Sequence, residues 1–113
     1  MTARARPPHT FADLRETEAS IQRRIVQTLR AAGCVVIVVN QTSQAKRRTR
    51  GTTKGAPDLV VFARDGVVAA LEVKKPTYRL ALAQAEILVA IAATGTTATI
   101  VTSPEDALRA IGR

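Results

Sequence analysis

At 113 residues and 12.1 kDa, with 46% apolar and 23% charged side chains, the chain is sized for one globular domain with a modest core, which excludes a second catalytic domain within it and whole-chain disorder. Its 17 Lys and Arg against 9 Asp and Glu give a formal charge of +8 and a pI near 11.1, so its expected partner is a polyanion. Three aromatics (Phe11, Phe62, Tyr78) are too few for a base-stacking platform, and the single Cys34 excludes a disulfide framework and a zinc finger, which makes a reducing compartment the default.

The charge excess lies in the first half: residues 1–54 carry 11 basic and 3 acidic side chains, residues 55–113 six of each. Residues 1–12 read as a disordered basic tail, in which Arg4 and Arg6 run into Pro7-Pro8-His9 without the apolar stretch of a secretory signal. A folded domain is expected over 13–113. Across residues 13–32, Leu14, Ile21, Ile25, Leu29 and Ala32 fall in one arc at 100° per residue, predicting an amphipathic helix ended by Gly33. Glu18 falls inside that apolar arc and is expected to point inward, whereas Glu16 falls on the opposite, solvated side.

Val35 to Val39 is a β-branched run of strand length, and residues 40–56 follow as a loop rich in Thr, Lys, Arg and Gly. Residues 59–62 and 67–73 read as an antiparallel pair joined through Arg64-Asp65-Gly66. Pro76 stops the third strand, and Leu80, Ala83, Ile87, Leu88 and Ile91 recur at helical spacing up to Gly95, with Gln84 on their face and Glu86 off it. This longest apolar region is interrupted and too short to span a bilayer, so the expectation is a cytoplasmic protein without a membrane partner. Residues 97–102 are a fourth strand. Ser103-Pro104-Glu105-Asp106 then starts a short helix, with a serine cap, proline at the first position and a carboxylate three residues after the cap. The order is that of a small α/β sandwich.

Alternation places Ala70, Glu72 and Lys74 on one face of the third strand. If the hairpin loop is Arg64 to Gly66, Ala63 opposes Val67 and Asp58 stands opposite Glu72, on that same face. A two-residue Asp65-Gly66 turn would set Asp58 against Val73 instead and separate the carboxylates. Adjacent carboxylates repel, and a cation or a raised pKa must offset the cost. Oxygen donors suit Mg²⁺ or Mn²⁺, and an inward Glu18 is a candidate third ligand. A turn aspartate and an exposed Glu72–Lys74 ion pair, worth about 0–1 kcal/mol, are the plainer readings.

Gly55-Ala56-Pro57-Asp58, then Glu72-Val73-Lys74, then Gln84 resemble the motif of the PD-(D/E)xK nucleases, and Glu18 with Ile21 and Gln22 is similar to the helical segment of the VRR-NUC family among them. The resemblance covers about residues 13–106; Tyr78-Arg79-Leu80-Ala81 departs from the Gly-Arg-Leu-Ser-type segment that often precedes the glutamine. It implies a restriction-endonuclease-like αβββαβ core with a short C-terminal helix, and metal-dependent phosphodiester cleavage. Carried over by position, it implies Asp58, Glu72 and the Val73 carbonyl as metal ligands, with Glu18 binding directly or through water. Lys74 would orient the attacking water and stabilise charge at the phosphate, and Gln84 would position Lys74 or the nucleophile.

Lys46, Arg47, Arg48 and Arg50, with Lys54 nearby, have the composition of a phosphate-binding loop at the mouth of this site, a solvated charge run being the alternative. The implied activity is a DNA endonuclease dependent on Mg²⁺ or Mn²⁺, acting on branched DNA such as flaps or four-way (Holliday) junctions, as the small standalone members found in viruses suggest. The rival is a catalytically silent nucleic-acid-binding module on the same fold. Paired cuts need two sites at fixed separation, which a homodimer supplies; Leu82, Val89, Ala107, Leu108 and Ile111 are the apolar candidates for its interface.

Overall fold

Thr17 decides where the first helix begins. Its backbone is extended and its hydroxyl accepts the Ser20 N–H at 3.1 Å, so helix α1 runs over Glu18–Ala31. The structure, a computed structural model, describes residues 16–39 and 53–113; the tail, Leu14, His9 and the basic run 46–50 lie outside these. Glu16, expected on the solvated side of a longer helix, precedes the cap instead. Its carboxylate accepts the Ser20 hydroxyl at 3.0 Å and both arms of the Arg24 guanidinium at 2.7 and 2.8 Å, folding back over the first turn. Ile21, Ile25, Val26 and Leu29 form the buried stripe. Gly33, at φ +90°, closes the helix, and the Cys34 N–H donates to the Leu29 carbonyl at 3.0 Å. Cys34 is buried and unpaired, a small apolar residue as read from the sequence.

Strands β1 (Val35–Val38), β2 (Leu59–Phe62) and β3 (Val68–Val73) form an antiparallel meander, and β4 (Thr97–Val101) adds in parallel to β3, giving the order β1-β2-β3-β4. The β2–β3 loop is the three-residue one: Ala63 N–H donates to the Val67 carbonyl at 2.8 Å, and Gly66 takes φ +85°. The register pairs Leu59 with Leu71, so the next positions outward are Asp58 and Glu72, and the two-residue alternative is excluded.

Helix α2 (Leu82–Ala93) is the crossover between the parallel strands β3 and β4, and α3 (Pro104–Ala110) closes the chain. Ser103 caps α3 by accepting the Asp106 N–H at 3.1 Å, with Pro104 in the first turn. The Asp106 carboxylate accepts the Thr102 N–H and hydroxyl at 3.0 and 2.8 Å and pairs with Arg109. Burial raises the Asp106 carboxyl, but the Thr102 and Arg109 contacts outweigh it and hold it below its ordinary value.

One face of the sheet, through Val36, Leu59, Val61, Ala69, Leu71, Val73 and Val101, packs on α1 and α3 to make the core. Ala107 and Ile111, candidates for an intermolecular surface, are buried in that core, and Leu108 packs against it. The C-terminal helix must cover the α1 side of the sheet, so its apolar positions are used internally. The other face carries Ala70 and Glu72 and meets α2 near β3 and β4, leaving Val35, Ile37, Val39 and Phe62 exposed beyond it. On α2 itself, Leu82 and Val89 are 74% and 70% exposed. No helix among the described residues is long and apolar enough to cross a membrane.

Candidate active site

Two carboxylates meet where β2 begins and β3 ends. Asp58 follows the buried Pro57 and is itself buried. Its carbonyl accepts the Val39 N–H at 2.8 Å, and its Oδ2 accepts the Val73 N–H at 2.8 Å, so backbone on both sides holds it in place. Glu72, 2% exposed, lies on the face turned to α2. Its Oε2 accepts the Gln84 Nε2–H at 2.9 Å and stands 3.5 Å from Lys74 Nζ; its Oε1 is buried with no hydrogen-bond partner. Lys74 is 9% exposed and so belongs to the interior of this cluster, which removes the plainer reading of an exposed ion pair.

Gln84 is oriented by its position at the start of a helix. It is the third residue of α2, and its Oε1 accepts the Ala81 N–H at 3.1 Å, meeting one of the four orphan donors of the first turn. With the amide oxygen so engaged, only the nitrogen is left to face Glu72. The resemblance implied that Gln84 positions Lys74 or the nucleophile; its hydrogen bond goes to Glu72, and it meets Lys74 only through the shared Oε2.

Burial, and after it the neighbouring Asp58 charge, push the Glu72 carboxyl from 4.5 up to about 7, against the opposing pull of Lys74. The Lys74 ammonium, 3.5 Å from Glu72 Oε2, does not outweigh the burial of Glu72 and the Asp58 charge beside it. The Glu72 Oε1, without a hydrogen-bond partner, is an oxygen that a hard cation would satisfy, and two carboxylates are what Mg²⁺ commonly takes while keeping waters. Among the described residues no group of three or more His, Cys, Asp or Glu gathers around a common point.

Glu18 requires correction. It is exposed, not inward, because α1 starts at Glu18 and the residue lies in its first turn, ahead of the stripe that begins at Ile21. There its charge complements the helix dipole. Val73 donates its N–H to Asp58 and points its side chain into the core. Lys54 is exposed in the turn before Gly55; Lys46, Arg47, Arg48 and Arg50 lie outside the described residues. Two features gave no sequence signal: the Arg23 and Arg30 lining of a groove of about 490 Å³ between α1 and edge strand β1, and the approach of Gly55 to α2.

Two solved structures share this fold. One, described as a VRR_NUC domain, superposes with a TM-score of 0.65 at 24% identity, over 81% of this chain and 90% of that one. The other, described as a VRR_NUC domain protein, gives 0.57 at 16% identity, over 80% and 84%. This chain has the fold of a VRR_NUC domain. The αβββαβ core with its C-terminal helix is therefore as expected. No family model matches the chain, and no curated protein sequence does.

Proposed function

We propose that the chain is a VRR-NUC-type endonuclease that hydrolyses phosphodiester bonds of DNA with the help of Mg²⁺ or Mn²⁺. The observation that carries this reading is the buried Asp58–Glu72 pair, in which the Glu72 Oε1 has no hydrogen-bond partner and the Lys74 ammonium stands 3.5 Å from Oε2. A silent binding module has no use for two carboxylates kept at such cost. Asp58 and Glu72 would hold the cation, with the Val73 carbonyl and, through water, Glu18 as further oxygen donors. Bound there, a divalent cation supplies charge neutralisation at the phosphate and a more acidic water.

The chain's own groups do the rest. The Val73 N–H fixes the Asp58 carboxylate, and Gln84 fixes Glu72 by occupying Oε2, which leaves Oε1 without a hydrogen-bond partner. Lys74, 3.5 Å from Glu72 Oε2, offers its ammonium to the attacking water and to the charge that develops on the phosphoryl oxygens. Lys54 and the 46–50 run would hold flanking phosphates. The +8 charge supports a nucleic-acid partner. Selectivity for flaps or four-way junctions, and action as a homodimer through the exposed Leu82 and Val89 of α2, complete the proposal.

Labelled duplex, flap, nicked and four-way DNA incubated with Mg²⁺ or Mn²⁺ tests it. Cleavage by the wild type, lost in Asp58→Ala and Glu72→Ala while DNA binding is kept or tightened, is the expected result. Equal rates in wild type and variants would refute the site; salt-sensitive binding without any cleavage would establish the silent module. Sedimentation at 12.1 kDa both free and on DNA would refute the dimer.

A further inference from the structure

The turn that leads into Asp58 touches the helix that carries Gln84 through backbone alone. The Ala56 N–H donates to the Thr53 carbonyl at 3.1 Å, closing a four-residue turn over Thr53, Lys54, Gly55 and Ala56. Gly55 takes φ +82° at its third position, and no described non-glycine residue has positive φ, which makes this a type II turn. A Cβ built on Gly55 would lie 2.4 Å from the Ala83 carbonyl oxygen, 2.5 Å from its carbon and 2.9 Å from the Gln84 nitrogen. All three atoms are backbone of the first turn of α2.

The other described glycines at positive φ differ. Gly66, Gly95 and Gly112 have open space where a Cβ would go, and at Gly33 the nearest atoms belong to the flexible Arg64 side chain. Among the described glycines, only at Gly55 do two pieces of main chain press together with no room for a methyl group. Bringing the closest of these contacts to 3.4 Å requires a shift of about 1 Å, by the turn or by the start of α2. Two residues after Gly55 the buried Pro57 leads into Asp58, and Gln84, on the other side of the contact, bonds Glu72. Asp58 and Glu72 are neighbours across the sheet, so the contact closes a ring: turn, helix start, Gln84, Glu72, Asp58 and back to the turn.

We propose that Gly55 is a positioning residue whose missing side chain lets the turn before Asp58 seat on the Ala83–Gln84 backbone, locking the spacing between Asp58 and the Gln84-held Glu72. This rests on the nuclease reading for what the spacing serves, but not for the contact itself. A displacement near 1 Å in a reacting group is enough to lower a rate by about 10²-fold. Gly95 supplies the control, since it shares the left-handed backbone at φ +90°, ends the same helix and has nothing within 4 Å.

The test compares Gly55→Ala with Gly95→Ala in the full chain by two readouts. The first is the Gln84 side-chain amide in ¹H–¹⁵N spectra, identified by its absence in Gln84→Ala. Gly55→Ala should move this resonance to the position of a solvent-exposed glutamine and speed its hydrogen exchange, and Gly95→Ala should leave it in place. The second is the cleavage rate at saturating DNA, expected to fall about 10²-fold in Gly55→Ala with DNA affinity unchanged, and to stay at wild type in Gly95→Ala. If Gly55→Ala is unfolded in buffer, both variants are compared in sucrose, which favours the folded state of each. Failure of Gly55→Ala alone to fold there supports the strict backbone contact, because both share the φ strain. An unmoved Gln84 resonance in folded Gly55→Ala, or equal shifts and rate losses in the two variants, overturns the proposal. A wild type that cleaves no DNA overturns the nuclease reading and leaves the amide readout to decide the role of Gly55.

Discussion

Replacing Glu72 by glutamine is expected to stabilise the protein at alkaline pH while destroying its proposed activity. The Glu72 carboxyl titrates at about 7 against an ordinary 4.5, so the folded state binds that proton more tightly than the unfolded chain does. Its contribution to stability is therefore fully present below pH 4.5 and is lost as pH rises to 7 and beyond. At about 1.4 kcal/mol per tenfold change in proton affinity, the loss comes to about 3 kcal/mol. Glu72→Gln keeps an oxygen where Oε2 accepts Gln84 and faces Lys74, and it replaces the partnerless Oε1 and the buried charge by a neutral NH₂. In EDTA at pH 8 the variant should be more stable by about 2–3 kcal/mol, roughly 10 °C in melting temperature for a chain of this length. At pH 4.5 the two should coincide. Urea unfolding across pH 4.5–8, followed by circular dichroism, measures the difference. Excess Mn²⁺ at pH 8 should restore the wild type, by about 2.7 kcal/mol at a hundred times its dissociation constant, and leave the variant unchanged. A variant no more stable than wild type at pH 8 in EDTA would refute the view that ionised Glu72 is held at a cost.

The same carboxyl sets the pH dependence of metal binding: Mn²⁺ affinity by titration calorimetry should fall about tenfold per pH unit below 7 and level off above it. Neutralising Lys46, Arg47, Arg48 and Arg50 together should weaken binding to all DNA sequences alike and reduce the salt slope by up to about 0.9 per lost phosphate contact, read from affinities at several salt concentrations. Arg23→Ala with Arg30→Ala should reduce that slope too if the α1–β1 groove tracks phosphates, and an unchanged slope would confine DNA to the loop side. Ser103→Ala should cost about 1 kcal/mol in urea unfolding through the lost α3 cap, independently of pH; Asp106→Ala should cost about 1–3 kcal/mol at pH 7, a difference that shrinks as pH falls through the depressed Asp106 pKa.

The elements were legible because their signals are local. The β-branched run from Val35, the Arg64-Asp65-Gly66 loop and the Ser103-Pro104 helix start each state a backbone preference within a few residues, and each appears where expected. The hairpin loop carried the furthest, since three residues in the turn fix which residues oppose each other and so bring Asp58 to Glu72 across 14 positions of sequence. Glu18 shows where periodicity stops being informative: the arc of apolar residues extends past the point where Thr17 caps the helix, and a residue outside the packed stripe is solvated whatever its phase.

What only the tertiary structure decided are relations between elements that no window of sequence contains. Spacing alone offers Gln84 to Lys74 or to a nucleophile; the choice of Glu72 follows from Ala81 claiming the amide oxygen and from α2 lying over β3. Ala107 and Ile111 look as available to a partner as Leu82 and Val89 do, until α3 is seen packed on α1 and the outer side of α2 left open. Gly55 is an ordinary turn glycine by its neighbours in the chain, and becomes singular only because the Ala83 carbonyl stands where its Cβ would be. Backbone conformation and face are set by short-range sterics and solvation, so the sequence by itself determined the strands, caps and carboxylate face of this protein. Burial, orphaned lone pairs and close approach depend on what arrives from elsewhere in the chain, and for those the fold had to be in hand.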